Sequence, residues 1–284
     1  MFNPPRTILI TGCSSGIGAE AARMFRGRNW RVFPTARKSA DIDSLAGQGF
    51  EALYLDYEDA ASIEAAAKTV LDRCDGKLDA VFNNGAYAIP GALEDMPVDA
   101  LRQLFEANFI GWHDLTRRIL PAMRAQKAGR IVQCSSVLGF VALPYRGAYI
   151  ASKYALEGYS DTLRQELKGT GIHVSLIEPG PIATRFTQNA LANFDHWIGS
   201  KGLIASPHRE IYETRRRRME RDEPGPFKLP ASAVVKRLIH AVEAKRPKPR
   251  YHVTVPTTVM GVARRLLPTS MMDRFCLWAA RSEE

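Results

Sequence analysis

The 284-residue chain is poor in cysteine, in aromatic residues and in long apolar runs. Its four cysteines, Cys13, Cys74, Cys134 and Cys276, are scattered and form no C-x-x-C pair. That excludes a disulfide-stapled scaffold and a cysteine-based zinc site. The six histidines show no metal-ligand spacing, so no metal is expected. Free cysteines of this kind predict a reduced, cytoplasmic protein. Aromatics make up 9% of the chain and do not interleave with its basic residues, as a single-strand nucleic-acid groove would require. No segment reaches the ~18 apolar residues of a membrane span. The run Ile8-Leu9-Ile10 is too short for the core of a signal peptide.

Acidic charge is also in short supply, since 39 Lys and Arg stand against 30 Asp and Glu, a net +9. Such an excess suits an anionic ligand, a nucleic acid or a membrane surface. Much of it lies late, in "ETRRRRMERDE" and "AKRPKPRYH". Glu213, Glu220, Asp222 and Glu223 flank Arg215–Arg218 and dilute its field, so the run reads as a solvated helix face and no nucleic-acid partner is expected.

What the chain has is one large core's worth of apolar residues, 45%, arranged in a regular alternation. Short β-branched runs take turns with longer helical patterns, which predicts an α/β domain with a doubly wound parallel sheet of about seven strands. The predicted strands are 7–11, 31–36, 51–55, 80–83, 130–134 and 173–177, with a seventh over 251–255. The predicted helices cover 16–28, 60–75, 98–127 with a break, and 149–169. Gly169 and Gly171 act as stop signals for the last. The whole chain reads as a single domain with a core over 5–185. From 186 to 230 the rhythm fails; Phe186, Phe194, Trp197, Ile198, Leu203 and Ile204 sit among polar residues, as in a helical lid over a pocket. Residues 257–284 form an amphipathic tail interrupted by Pro268.

The stretch "RTILITGCSSGIGAE" carries the first chemistry. A strand apolar on both faces must turn sharply into a helix. Gly12, Gly16 and Gly18 permit positive φ angles and close approach of a ligand to the backbone. Free amides at the new helix start favour an anion, and Ser14 and Ser15 add hydroxyls. A tight βα connection without a ligand has the same local requirements, so the turn alone is weak evidence for a dinucleotide.

The T-G-x-x-x-G-x-G spacing resembles that of the short-chain dehydrogenase/reductase family. Further motifs in the same order carry the resemblance: "NNGA" from Asn83, "EANFIG" with Asn108, "GRIVQCSS" with Ser136, "YIASK" with Tyr149 and Lys153, and "EPGPIAT" with Pro179, Gly180, Ile182 and Thr184. The family has N-N-A-G where this chain has N-N-G-A, an exchange of two small residues. The resemblance implies a Rossmann-type fold. It implies cofactor contacts from Gly12, Ser14, Ser15, Gly16, Ile17, Gly18, Asp56, Tyr57, Asn84, Gly85, Tyr149, Lys153, Pro179, Gly180, Ile182 and Thr184. "TAR" and "IEPGPIATRF" also resemble the branch of retinol and 17β-hydroxysteroid dehydrogenases and bacterial NADP-dependent aldehyde reductases.

The end of the second strand selects the cofactor. A carboxylate there would accept hydrogen bonds from both ribose hydroxyls. This chain has Ala36 instead, followed by Arg37 and Lys38. Guanidinium grips phosphate in a bidentate way, so NADP(H) is expected rather than NAD.

Tyr149 and Lys153 are four residues apart and share one helix face. An adjacent ammonium is expected to lower the phenol pKa from about 10 toward working range. By resemblance, Ser136 orients a substrate carbonyl, Tyr149 exchanges its proton, Lys153 tunes Tyr149 and holds the nicotinamide ribose, and Asn108 holds a water near Lys153. Val137, Leu138, Phe140, Val141, Leu143 and Tyr145, with Phe186, Phe194 and Trp197, are expected to line an apolar pocket, with Leu138, Tyr145 and Phe186 on the substrate. The expected substrate is a small hydrophobic carbonyl, an aldehyde, a retinoid or a steroid-like ketone, or its alcohol. A non-catalytic NADPH sensor on the same fold is the alternative. Ala151, Ser152 and Ala155 would allow close helix pairing in a homodimer or homotetramer. The tail has four possible partners: a weak membrane-surface contact, the substrate mouth, the lid or a second subunit.

Overall fold

In the computed structural model, residues 5–199, 206–221 and 227–281 are described. Strands β1 (Thr7–Ile10), β2 (Arg31–Ala36), β3 (Leu53–Tyr54), β4 (Ala80–Asn83), β5 (Gly129–Cys134), β6 (Ile172–Glu178) and β9 (Arg250–His252) form one sheet in the order β3-β2-β1-β4-β5-β6-β9. Every pairing is parallel, with Ile8 opposite both Val32 and Ala80. The central strands are apolar on both faces because helices cover both; Ile8, Leu9, Ile10, Val81 and Phe82 are fully buried. β1 lies between β2 and β4, so strand order reverses there. The reversal opens a crevice at the carboxyl ends of β1 and β4.

Helices α1 (Gly16–Arg26), α2 (Ser39–Gly47), α3 (Ala60–Arg73), α4 (Val98–Phe105), α5 (Gly111–Gln126) and α6 (Gly147–Glu166) follow the alternation. The break in the long third pattern is a π-helical turn, Glu106–Ile110, joining α4 to α5. Two helices were not anticipated. α2 is short and polar, with little periodicity to reveal it. α9 (Ala231–Glu243) has a clear apolar face, Val234, Val235, Leu238, Ala241 and Val242, and begins directly after the stretch whose rhythm fails.

Beyond β6 the chain forms β7 (Ile182–Ala183), which pairs with β8 (Leu229–Pro230), and helices α7 (Phe186–Trp197) and α8 (Arg209–Arg221). Phe194, Ile198 and Tyr212 pack together with Ala92 and join these two helices to the body. Arg215–Arg218 lie on α8. The expected lid residues Leu203 and Ile204 lie outside the described residues.

The tail forms α10 (Val255–Leu266) and α11 (Thr269–Arg281), broken at Pro268 as its sequence requires. Met260, Ala263, Leu267, Met272, Phe275 and Cys276 pack on Val137, Leu138, Phe140, Val141 and Leu143. Of the partners open to it, the tail thus meets the segment next to Ser136. Among the described residues no helix is long and apolar enough to cross a membrane.

Candidate active site

The glycine turn between β1 and α1 is closed by contacts that only glycine allows. Gly12 has φ +68°, and a Cβ there would lie 2.7 Å from Gly85 Cα. A Cβ at Gly18 would lie 2.2 Å from the Gly12 carbonyl oxygen. Asn84 clamps the turn from the next strand: its Nδ2 donates to the carbonyls of Thr11 and Gly12 at 3.0 and 3.3 Å. Its own amide and that of Gly85 donate to Thr11 Oγ1. The exchanged Gly85 therefore preserves the close approach that small residues were expected to give. Ser15 is the N-cap of α1, yet its side chain makes no capping bond, so the first amides of the helix are left for another acceptor. These features fit a dinucleotide phosphate at the crevice.

Tyr57 corrects one expectation. Its ring is buried, and its hydroxyl lies 2.8 Å from Thr11 Oγ1 and 2.7 Å from Asn83 Oδ1. The side chain props the turn from inside, with its hydroxyl turned to the core rather than to the crevice. Asp56 stays half-buried at the crevice side. Arg37, more than half exposed, reaches toward Asp56 and Glu58 at 3.9 Å each. Lys38 is the N-cap residue of α2, so both cations stand where β2 ends.

The opposite wall is the segment after β6. The Val137 amide donates to the Pro179 carbonyl at 2.8 Å and ties the Ser136 turn to this loop. A Cβ at Gly16 would meet the Thr184 methyl at 3.0 Å, so Thr184 rests on the glycine turn. A Cβ at Gly180 would lie 2.2 Å from Thr254 Oγ1, the cap of α10. Ile182 lies in β7. Ser14 and Ser15 line the turn, and Ile17 packs back on the core.

Ser136, Tyr149 and Lys153 meet at the mouth of this crevice. Ser136 is an extended residue capping a single 3-10 turn, and its Oγ accepts from the Leu138 amide at 3.1 Å. Ser136 is the side chain that pulls the Tyr149 phenol pKa down. Lys153 is 1% exposed; its Nζ donates to the Cys134 carbonyl at 2.8 Å and lies 4.4 Å from the Trp112 ring centroid and 5.6 Å from that of Tyr149. Burial dominates both ionisations. It raises the Tyr149 phenol, Ser136 pulling the other way, and it lowers the Lys153 ammonium to about 8. The expected lowering of the phenol is not found in the protein alone, because burial of the phenol itself outweighs what lowers it.

Asn108 sits on the π turn. Its Oδ1 accepts from the Tyr87 amide at 3.0 Å, and its Nδ2 donates to the Tyr87 carbonyl at 2.8 Å and to Ser152 Oγ at 3.2 Å. Both Nδ2 protons are used in holding Tyr87 and α6, while Oδ1 keeps one lone pair. Ser152 is correspondingly buried and is not open to a second subunit, whereas Ala151 is exposed. Ser135 is a buried neighbour whose hydroxyl packs against Gly139.

The apolar residues divide into two groups. Phe186 meets Tyr149 edge-on at 5.5 Å and is the aromatic beside the reacting hydroxyl. Leu138 and its neighbours from Val137 to Leu143 pack on the tail, and Phe194 lies inside the α7–α8 cluster. Tyr145 also faces α8: its hydroxyl lies 3.4 Å from His208 Nδ1, and Arg215 covers its ring at 4.9 Å. Its φ of +61° is unusual for a non-glycine residue, and its carbonyl accepts from the Gly91 amide. These tail and α8 contacts were missed because no local pattern specifies which distant helix covers a loop.

Known proteins share these features. The model of the family described as short chain dehydrogenase matches residues 6–194. The chain is 41% identical over 270 residues to the oxidoreductase YbbO of Escherichia coli (strain K12), covering 95% of this chain and 93% of that one. It is 31% identical over 278 residues to an NADPH-dependent 3-dehydrocapnine reductase of Ornithobacterium rhinotracheale, covering 95% of each. Its fold is similar to that of a short-chain dehydrogenase from Streptomyces avermitilis, with a TM-score of 0.74 and 27% identity over 92% of this chain and 93% of the other. With its glycine turn, parallel sheet and Ser136–Tyr149–Lys153 centre, the chain belongs to the short-chain dehydrogenase family, oxidoreductases that work with a nicotinamide cofactor.

Proposed function

We propose that this protein is an NADP(H)-dependent oxidoreductase that interconverts a hydrophobic aldehyde or ketone and its alcohol, with Tyr149 as general acid and base. The observation that carries the reading is a fully buried Lys153 whose Nζ lies 5.6 Å from the Tyr149 ring centroid, on the helix that sets Tyr149 beside the Ser136 turn. Phe186 beside the Tyr149 ring favours an apolar substrate, since a heavily hydrated one would lose its water shell there without compensation. Arg37 and Lys38, with no carboxylate at Ala36, favour a 2′-phosphate. The NADPH-dependent relative agrees with that choice.

The glycine turn, the free amides of α1, Asp56, Asn84, Gly85 and the Pro179–Thr184 loop would hold the cofactor, with Lys153 at its ribose. When bound, it gives hydride to the carbonyl carbon or takes hydride from the alcohol. The protein's own part is to place and move the proton. Ser136 and Tyr149 both present hydroxyls to the carbonyl oxygen. As that oxygen gains charge, the Tyr149 proton passes to it. The phenolate left behind is stabilised by the Lys153 ammonium, which remains mostly protonated at neutral pH with a pKa of about 8. Asn108 is a positioning residue: through Tyr87 and Ser152 it fixes the helix that carries both groups. α7 and α8 act as a lid, and the protein works as a homodimer or homotetramer in the cytoplasm.

The test is NADPH absorbance followed against a panel of aldehydes, hydrophobic ketones and sugars. Turnover of the apolar members, abolished in Tyr149→Phe while NADPH still binds, is the expected result. Activity confined to sugars removes the substrate class, and near-native rates in Tyr149→Phe remove the mechanism.

A further inference from the structure

A second concavity lies at the open edge of the sheet, beside β9. Arg237 of α9, Lys248, Arg250, Tyr251, His252 and Arg265 of α10 line its volume of about 330 Å³. That is room for a small ligand. No acidic residue lines it.

Two of its bases are compensated from behind. The Arg250 guanidinium reaches Glu157 at 3.1 Å, Asp161 at 2.7 Å and Glu178 at 3.2 Å. His252 Nε2 lies 3.0 Å from Glu178. Those partners come from α6 and β6 and do not line the pocket, and Glu178 is fully buried. Arg237, Lys248 and Arg265 are different. They come from three separate segments, are exposed, and form no direct ion pair among the described residues, Arg265 only attracting Glu178 from a distance. Gathering three like charges around one hollow costs electrostatic energy that a bound anion removes.

We propose that this pocket binds a phosphate-type anion. Its recognition is by charge and not by a nucleobase. Tyr251 is buried, and its hydroxyl is occupied by His240 Nδ1 and the Lys248 amide, both at 2.8 Å, so no free aromatic face is offered for stacking. The phosphate can arrive free or as a lipid headgroup. For the second source the adjoining α10 supplies an apolar stripe: Val255, Val259, Val262 and Leu266 recur at helical spacing and are all exposed.

The experiment uses the full chain. Pyrophosphate binding is measured by calorimetry, and flotation is measured with phosphatidylcholine vesicles prepared with and without phosphatidic acid. Each is repeated with the combined substitutions Arg237→Gln, Lys248→Gln and Arg265→Gln, and separately with Arg37→Ala, which removes the cation of the dinucleotide site. Pyrophosphate binding that survives Arg37→Ala and weakens about tenfold or more in the triple variant supports the site and a free phosphate. Flotation that depends on phosphatidic acid and is lost in the triple variant supports it with a lipid source. Binding that follows Arg37 alone, that is unchanged in the triple variant, or that is undetectable in both formats overturns it. Circular dichroism melting of the triple variant checks that it is folded.

Discussion

Lys153 Nζ donates to the carbonyl of Cys134, so the amine of α6 is anchored to the last residue of β5, one position before the serine pair. The bond fixes the Tyr149–Lys153 face of the helix against the sheet's central crevice. It also holds a cation where water is excluded, which is why its pKa falls.

That burial has a pH signature. Lys153 has a folded pKa of about 8 against 10.5 when unfolded. Between these values the unfolded chain holds more protons, so stability rises with pH across this window and is penalised below it. Wild type minus Lys153→Met stability, from urea melts between pH 7 and 11, should grow in favour of wild type by roughly 3 kcal/mol at most. A flat difference would show that the amine is not desolvated.

Gly18→Ala should damage the turn. The new Cβ would lie 2.2 Å from the Gly12 carbonyl oxygen, a backbone atom that cannot swing aside. A loss of about 1–3 kcal/mol in stability is expected, with dinucleotide binding weakened together with it. Thermal melts with and without cofactor measure both. Unchanged affinity would mean that the turn is not the phosphate cradle.

Arg37→Ala should lower kcat/KM for NADPH on the order of tenfold or more while leaving NADH nearly unaffected. Equal losses with the two cofactors would remove Arg37 from phosphate recognition.

Met272→Asp should loosen the tail. Met272 is 4% exposed in the cluster that covers Val141, and a carboxylate there has no partner in that cluster. Destabilisation of about 2 kcal/mol or more is expected. Because this cluster abuts the Ser136 turn, the KM for the carbonyl should rise while the cofactor Kd stays the same. A change in cofactor Kd alone would contradict that division.

Tyr57→Phe should cost about 1–3 kcal/mol by stranding Asn83 Oδ1 in the core. If the loss is instead confined to cofactor affinity, the hydroxyl faces the ligand after all.

Much of this arrangement was legible in the chain. The strand–glycine–helix start, the alternation that demands a parallel sheet and the four-residue step from Tyr149 to Lys153 are local patterns set by backbone sterics and helical period. Six predicted strands and the seventh over 251–255 correspond to β1–β6 and β9, their ends shifted by a few residues where hydrogen bonding to a neighbour stops.

Tertiary structure decided what the shared residues do. Tyr57 beside Asp56 has the same sequence signal whether it faces the cofactor or the core; only the position of Thr11 and Asn83 turns it inward. Val137 to Leu143 are apolar in either case, and α10 and α11, more than a hundred residues later, determine that they are covered. The pKa of Lys153 follows from the same cause. Spacing places an amine near a phenol, but the protein packed around both sets how much water reaches them, and that solvent access fixes their charges.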